Sequence, residues 1–375
     1  MLDVDAKTET AIFAGGAKPA PPRPFRIGRL NLEIRQQLPA WQQALILGSA
    51  ILIGLLLSGV VLVIAGVSAR DLFNEFIVNT LFDGQNLRAV LFQASPLILV
   101  GIGAAAALRV RFWNLGIEGQ MIWGGICATV LSLYHVGPDA TRLPLMLVVA
   151  ALAGMAWVLI AIFFKMRFGV NEIISTLLMN YIAMYFLLQL VYGPWKDPAD
   201  GFPHSPAFAP YERLPDLMSG FNSALLLAAI LTAVVWWLVH VSRAGFYMNF
   251  LYANDRMALA MGAPTRAITL IAVLLSGALS GVAGFAVTAG QEGRLTQSFF
   301  EGYGFSGILI AFLGRSDPLA AAIVAILVAM LFITGQSLQV FYQIPFAMVQ
   351  LIQALIVICV AASEFIVRHR IHWVR

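Results

Sequence analysis

An all-α, polytopic membrane fold of about ten helical segments is predicted by three features of the sequence. Charged residues make up only 11% of the 375 positions and hydrophobic residues 60%, with a mean hydropathy of +0.85. A soluble domain carries about a quarter charged residues. Apolar runs close to the ~20 residues that cross roughly 30 Å of hydrocarbon recur from residue 43 almost to the end. The basic residues then sort by side. With the N-terminus inside, predicted cytoplasmic segments hold 17 of the 23 Lys and Arg, leaving only Arg70, Arg88, Arg142, Lys196, Arg213 and Arg294 outside. Both termini are therefore predicted to be cytoplasmic.

Taken in order, residues 1–40 mix Pro, Gly, Ala and scattered charge, without the apolar core and cleavage site of a signal peptide. They read as a flexible cytoplasmic tail, with Leu30–Leu38 as a candidate interfacial helix. The membrane domain runs from 41 to 367. Gln43–Gly66 is its first span, and Ser68–Gln85, with Arg70, Asp71, Glu75 and Asp83, is placed at the outer surface. Asn86–Leu108 is the second span, interrupted by Ser95-Pro96, where the proline removes a helical hydrogen bond and commonly kinks the helix. Spans follow at Leu115–Tyr134, Leu143–Phe164 and Glu172–Tyr192, with the basic turn Lys165-Met166-Arg167 between the last two.

The stretch 193–220 carries six prolines and cannot span, so it is read as an external insertion. Phe221–Val241 is the next span, 242–266 a polar and basic cytoplasmic loop, and Ala267–Gly290 a further span. Phe305–Leu313 offers nine apolar residues, about 13 Å of helix, and is expected to be short or half-buried. Leu319–Thr334 and Pro345–Ile366 complete the domain, and 368–375 form a basic cytoplasmic tail.

The chemistry concentrates in a few polar positions. Phe112–Gln120 places Asn114, Gly116, Glu118, Gly119 and Gln120 at the mouth of an apolar span. Asn114 is able to cap the following helix, with Glu118 in its first turn where the helix dipole favours an anion. A partly unwound segment lining a cavity accounts as well for the two glycines and Gln120. Glu172, Thr176 and Asn180 recur every four residues on one helical face, behind Asn171 as a cap. They read either as interhelical hydrogen bonds or as a polar stripe along a translocation path.

Gly277 and Gly281, with Ser276, Ser280 and Gly284, are spaced for close helix packing. Phe299, Phe300 and Tyr303 read as an interfacial aromatic belt more readily than as a stack for a planar ligand. Cys127 and Cys359 both lie in apolar runs and support neither a disulfide nor a metal. There is no P-loop, no H-E-x-x-H, no G-x-S-x-G and no Cys/His metal cluster, so no catalytic residue and no metal site is assigned. A transport role remains, its energy supplied from outside the chain. The competing class is a gradient-driven secondary transporter with Glu118 or Glu172 as the coupling carboxylate.

Four stretches together resemble one family. Phe112–Gln120 is similar to the Phe-Asn-Ile-Gly-x-Glu-Gly-Gln signature of permease subunits of bacterial ABC importers, in the simple-sugar and nucleoside branch. Gly169–Ile182 resembles that branch's next signature. Asn254–Ala263 resembles its cytoplasmic loop, and Gly302–Gly307 through Gly314–Pro318 its later motif. The resemblance covers roughly residues 40–366. Trp113 and Asp255-Arg256-Met257 depart from the usual pattern.

The resemblance implies the fold of type II ABC importers and a bacterial inner-membrane location. The implied solute is a nucleoside or related purine, with simple sugars next. It also implies three partners: a second and commonly different permease chain, a cytoplasmic subunit that binds the ATP, and an extracytoplasmic solute-binding protein. No cofactor is held by this chain, and no nucleic acid is a partner. The expected substrate path comprises Asn114, Gly116, Glu118, Gln120, Glu172, Thr176 and Asn180. The expected ATPase contacts are Asn254, Arg256, Gly262 and Arg266 in the basic loop, with Arg315 and Asp317 in the Gly314–Pro318 turn.

Overall fold

The computed structural model describes residues 25–27, 30–34, 39–74, 83–199, 201–218, 221–260 and 262–373. It is nearly all helical, and its described residues fall into two compact units, one built from 1–58 with 354–375 and the other from 59–353. The expected flexible tail over 1–24 and the 75–82 part of the expected outer-surface segment lie outside the described residues.

In the first unit, β1 (Phe25–Ile27), β2 (Leu30–Ile34) and β5 (His369–Trp373) form an antiparallel sheet in the order β1-β2-β5, with Leu32 opposite Ile371. Leu30–Ile34 is thus a strand where the sequence suggested an interfacial helix. The reason is visible in Leu-Asn-Leu-Glu-Ile, whose apolar–polar alternation has period two. The basic C-terminal segment pairs with it instead of ending as a tail.

The long helices are α1 (Ala40–Ile64), α3 (Gly84–Arg109), α5 (Asp139–Phe168), α6 (Glu172–Tyr192), α7 (Ser223–His240), α10 (Thr265–Phe285), α12 (Pro318–Tyr342) and α13 (Phe346–Arg368). Among the described residues, eight helices are long and apolar enough to cross a membrane. Two apolar helices are shorter, α4 (Ile117–Leu133) and α11 (Tyr303–Leu313). At 1.5 Å per residue α11 reaches only about 16 Å, as its nine-residue apolar run foretold.

Within residues 59–353 the centre is formed by α3 and α10. Helix α10 packs against α5, α3 and α4, while α3 also packs against α12, α11 and α7. The spanning window of α3 is 83% buried, that of the more apolar α5 only 33%. This inverts the soluble rule, because lipid is as apolar as a leucine side chain and the interior is selected by close approach. Gly154 and Gly277 bring backbones together, since a Cβ on Gly154 would lie 2.1 Å from the Gly277 carbonyl. A Cβ on Gly281 would lie 2.1 Å from the Ala150 carbonyl, and one on Gly284 2.1 Å from that of Met121. The small-residue spacing of the seventh predicted span therefore packs as expected.

The basic stretch 242–266 is not a loop but two helices, α8 (Arg243–Ala253) and α9 (Asp255–Ala260), and α2 (Ala69–Phe73) is a further short helix. Ser242 starts α8 by accepting the Gly245 N–H, and Asn222, Asn171 and Asp317 cap α7, α6 and α12 in the same way. The insertion 193–220 includes β3 (Asp216–Met218), which pairs with β4 (Phe221–Asn222). Beyond Phe285 the helix widens into a π-helical turn, Ala286–Glu292. Such turns are rare and often sit at functional sites.

Candidate solute cavity and coupling face

The signature Phe112–Gln120 forms a buried knot. Asn114 and Gln120 exchange hydrogen bonds through their amides (3.0 and 2.9 Å), and Asn114 also donates to Ser276 Oγ (2.9 Å) on α10. The Asn114 Oδ1 accepts the Gly116 N–H (3.2 Å), while the helix itself begins at Ile117. Asn114 thus makes a side-chain turn ahead of α4 and does not occupy the cap position. Asn180 on α6 accepts the Gly119 N–H (2.9 Å) and donates to the Leu115 carbonyl (2.7 Å).

The two glycines are explained by the approach of α6. A Cβ on Gly116 would meet Thr176 Cβ at 3.1 Å, and one on Gly119 would meet Asn180 Oδ1 at 2.9 Å. Asn114, Gln120, Thr176 and Asn180 are all buried.

Glu118 leaves this knot and reaches α11. Its carboxylate takes backbone N–H groups of Gly302 and Gly304. A side chain on Gly304 would fall 2.4 Å from Glu118 Cγ. The carboxylate therefore sits between the positive ends of two helices, its own α4 and α11. Glu172 pairs with Lys165 Nζ at 2.7 Å across the turn from α5 to α6, and Lys165 lies over the Phe112 ring at 5.0 Å.

A cavity of about 210 Å³ opens elsewhere, between α3, the π-helical turn, the 298–303 segment and α12. Its polar wall includes Gln93, Gln291, Gln336 and Gln339 with Glu292 and Glu301, and its aromatic wall is Phe299, Tyr303 and Phe332. Tyr303 and Phe332 stack, with centroids 6.2 Å apart. Gln93 donates to the Tyr303 hydroxyl (3.0 Å), which donates to Gln291 Oε1 (3.2 Å), and Gln291 donates to the Phe92 carbonyl (2.9 Å). That carbonyl is the one Pro96 leaves without its helical partner, and Ser95 Oγ also donates to it (2.9 Å). The proline in α3 thus anchors one wall of the cavity.

Gln336 and Gln339, one turn apart, make no hydrogen bond to any described residue. None of the seven expected path residues lines this cavity. Phe299, Phe300 and Tyr303 are buried within the chain, so they are not a lipid-facing belt. Sequence reading passed over the glutamines. The i, i+3 pair Gln336/Gln339 in an otherwise apolar helix was the available signal.

The proline-rich insertion holds the cavity's other flank. Leu214 N–H donates to the Ala289 carbonyl (2.9 Å), Phe208 N–H to Gly293 (2.8 Å), Ser205 N–H to Leu295 (2.9 Å), and Asn222 Nδ2 to Gly290 (3.1 Å). The insertion is itself pinned by a buried ion pair, Arg142–Glu212 at 2.7 Å. Ser132 Oγ donates to Glu212 Oε2 (2.5 Å), as does the Ala209 N–H (3.1 Å). Burial pushes the Glu212 carboxyl up, but Ser132, Arg142 and Ala209 outweigh it and hold the group below the ordinary carboxylate range.

At the far end of α3 lies a charged junction. Arg109 donates to the Ser316 carbonyl and to Asn249 Oδ1 (both 2.7 Å) and lies 3.7 Å from Asp317. Arg111 donates to the carbonyls of Tyr252 (3.1 Å) and Ala253 (3.1 Å), and His240 Nε2 lies 3.1 Å from Asp317 Oδ2. Asn254 closes α8 and accepts the Met257 N–H (3.3 Å), while Arg266, Arg315 and Gly262 are exposed. Gly262 and Arg315 both have positive φ (72° and 52°). The side chain of Arg256 lies outside the described residues. The structure thus ties the 314–317 turn to α8 through Arg109, although the two segments are about 65 residues apart in the chain.

A helical bundle with a polar cavity toward one face and a charged junction at the other is a multi-pass membrane permease. The chain belongs to the family described as the branched-chain amino acid transport system permease component, which matches residues 86–361. It is 32% identical over 354 residues to a glucose ABC transporter permease protein of Haloferax volcanii, covering 91% of this chain and 93% of that one. A guanosine ABC transporter permease protein of Bacillus subtilis is 29% identical, over 84% of this chain and 92% of its own. A nucleoside ABC transporter permease protein of Lactococcus lactis is 24% identical, over 84% and 90% respectively.

Proposed function

We propose that this chain is the permease subunit of an ABC importer in the bacterial inner membrane, moving a nucleoside or related purine, with simple sugars as the next class. The carrying observation is the contrast between two polar sites. The amides of the signature knot are occupied by one another, whereas Gln336 and Gln339 present open donors and acceptors to a cavity with aromatic walls. Aromatic faces beside a few hydrogen-bonding groups suit a neutral planar or hydroxylated solute. The glucose and guanosine permeases among the relatives support the same two classes.

In this reading the cavity receives solute from a binding protein docked on the 193–220 insertion, and both termini are cytoplasmic. A second permease chain completes the path. The residues Asn114, Gly116, Glu118, Gln120, Glu172, Thr176 and Asn180 form its packed wall, holding α4, α6 and α11 in register. A partner ATPase engages Asn254, Arg256, Gly262, Arg266, Arg315 and Asp317. Helices α3 and α12 then run from the Arg109–Asp317 junction to the cavity, where they present Gln93 and Gln336, so displacement at one end reaches the other. Glu118 and Glu172 are each engaged by fixed partners, which speaks against a proton-coupled mechanism built on either.

The test is uptake by the complete complex in liposomes with ATP on the ATPase side. Labelled guanosine should accumulate, and Gln336→Leu and Gln339→Leu should each raise its half-saturating concentration roughly five-fold, about one hydrogen bond. Absence of both nucleoside and sugar uptake, or uptake that survives ATP removal and stops with an uncoupler, would overturn the proposal.

A further inference from the structure

Among the described residues, the cavity's only ionisable groups besides the Tyr303 phenol are the carboxylates of Glu292 and Glu301, both solvent-accessible, and no described Lys or Arg lines it. Among the described residues neither glutamate forms a salt bridge. The neighbouring Arg213 and Arg294 are not part of the cavity lining. Arg294 is engaged with His204 (3.1 Å) and Arg213 donates to the Phe208 carbonyl (3.1 Å). Glu118, a third carboxylate, is close enough to Glu301 to interact with it electrostatically.

We propose that Glu292 and Glu301 act as specificity-determining residues, admitting the uncharged hydroxylated solute and turning away its phosphate ester. The inference rests on the cavity reading above. Ionised carboxylates are acceptors only, so they bind the hydroxyl donors of a ribose or hexose, and free glutamine amides supply the complementary donors. A phosphate group brings negative charge and acceptor oxygens alone, and meets two like charges with no cation to neutralise it. Solvent access screens the repulsion, so the discrimination is set at roughly ten-fold. A phosphorylated form of the solute must then be hydrolysed before it reaches this permease.

The experiment uses the complete complex in nanodiscs, with Cys127→Ala and Cys359→Ala and a reporter thiol introduced at the cavity wall by Ser298→Cys. Its modification rate is measured with a cationic and an anionic methanethiosulfonate reagent, each normalised to a free thiol in solution. The cationic reagent should be favoured about ten-fold, and Glu292→Gln with Glu301→Gln should return the ratio to near one. Guanosine should protect the thiol, and guanosine 5′-monophosphate should need at least ten-fold more, a gap that the double glutamine variant closes. A normalised ratio near one in the parent, or equal protection by nucleoside and monophosphate, overturns this inference alone. Absence of protection by guanosine and by glucose overturns the cavity reading and this inference with it.

Discussion

Replacing Asn114 with leucine tests whether the signature is a structural knot. The substitution deletes four hydrogen bonds: two with Gln120, one to Ser276 and one from the Gly116 N–H. Gln120 is 1% exposed, so its orphaned amide finds no water. Interhelical hydrogen bonds in membranes average about 0.6 kcal/mol, which sets a floor near 2.5 kcal/mol for four. Buried groups left unpaired cost about 1–3 kcal/mol each, and the Gln120 amide presents two, which sets a ceiling near 6 kcal/mol. Gln120→Leu alone should cost a similar amount, because it strands Asn114.

The double leucine variant removes both polar ends together and should recover at least 1 kcal/mol of the summed loss. The assay is a double-mutant cycle on reversible denaturation in detergent micelles, paired with solute uptake by the reconstituted complex. Half-saturation should stay within two-fold for every variant that folds, since neither residue lines the cavity. Singles that cost under 1 kcal/mol, or that simply add in the double, would refute the knot. A ten-fold rise in half-saturation at unchanged stability would show that Asn114 contacts solute.

Three further outcomes are expected. Gly281→Val places a side chain where a Cβ already falls 2.1 Å from the Ala150 carbonyl, so α5 and α10 must separate; thermal unfolding in detergent should show a loss of at least 3 kcal/mol, against almost none for Gly48→Val, whose Cβ meets nothing within 4 Å. Arg109→Ala frees the 314–317 turn from α8 and should cut uptake ten-fold or more while ATP hydrolysis by the complex stays within two-fold; loss of both in parallel would place Arg109 in assembly instead. Glu212, whose folded pKa is depressed, contributes stability that is complete above the unfolded value of about 4.3 and is lost as pH falls through the lower folded value. Unfolding midpoints of the parent should therefore drop as the pH falls below the unfolded value of about 4.3, and Glu212→Gln should start lower and lose that part of the slope. Identical acid slopes would show that the buried pair with Arg142 is not linked to stability.

Much of this architecture was legible in the chain itself. Apolar runs located the long helices, because a backbone in lipid must satisfy its own hydrogen bonds and twenty apolar residues leave little alternative to a helix. The short run before Gly314 announced α11, and the glycine and serine spacing in α10 announced close packing. Asn171, read as a cap from sequence, caps α6 by accepting the Ile173 N–H. Strand pairing of Leu30–Ile34 with the far C-terminus was not legible, since two segments more than 330 residues apart meet only after the intervening chain has folded.

By itself, the sequence determined a helical membrane permease and the polar signature Phe112–Gln120 as its diagnostic stretch. Only the tertiary structure decided what that polarity is for. Asn114 and Gln120 share one stretch, but Asn180 on α6 and Ser276 on α10 come from elsewhere in the chain, and their mutual satisfaction depends on distances that spacing along one helix does not encode. The cavity wall is assembled the same way, from Gln93, Gln291, Tyr303 and Gln336 on four separate segments. Hydropathy records which residues avoid water, whereas a binding site is a set of donors and acceptors left open, and openness is a property of the packed neighbours.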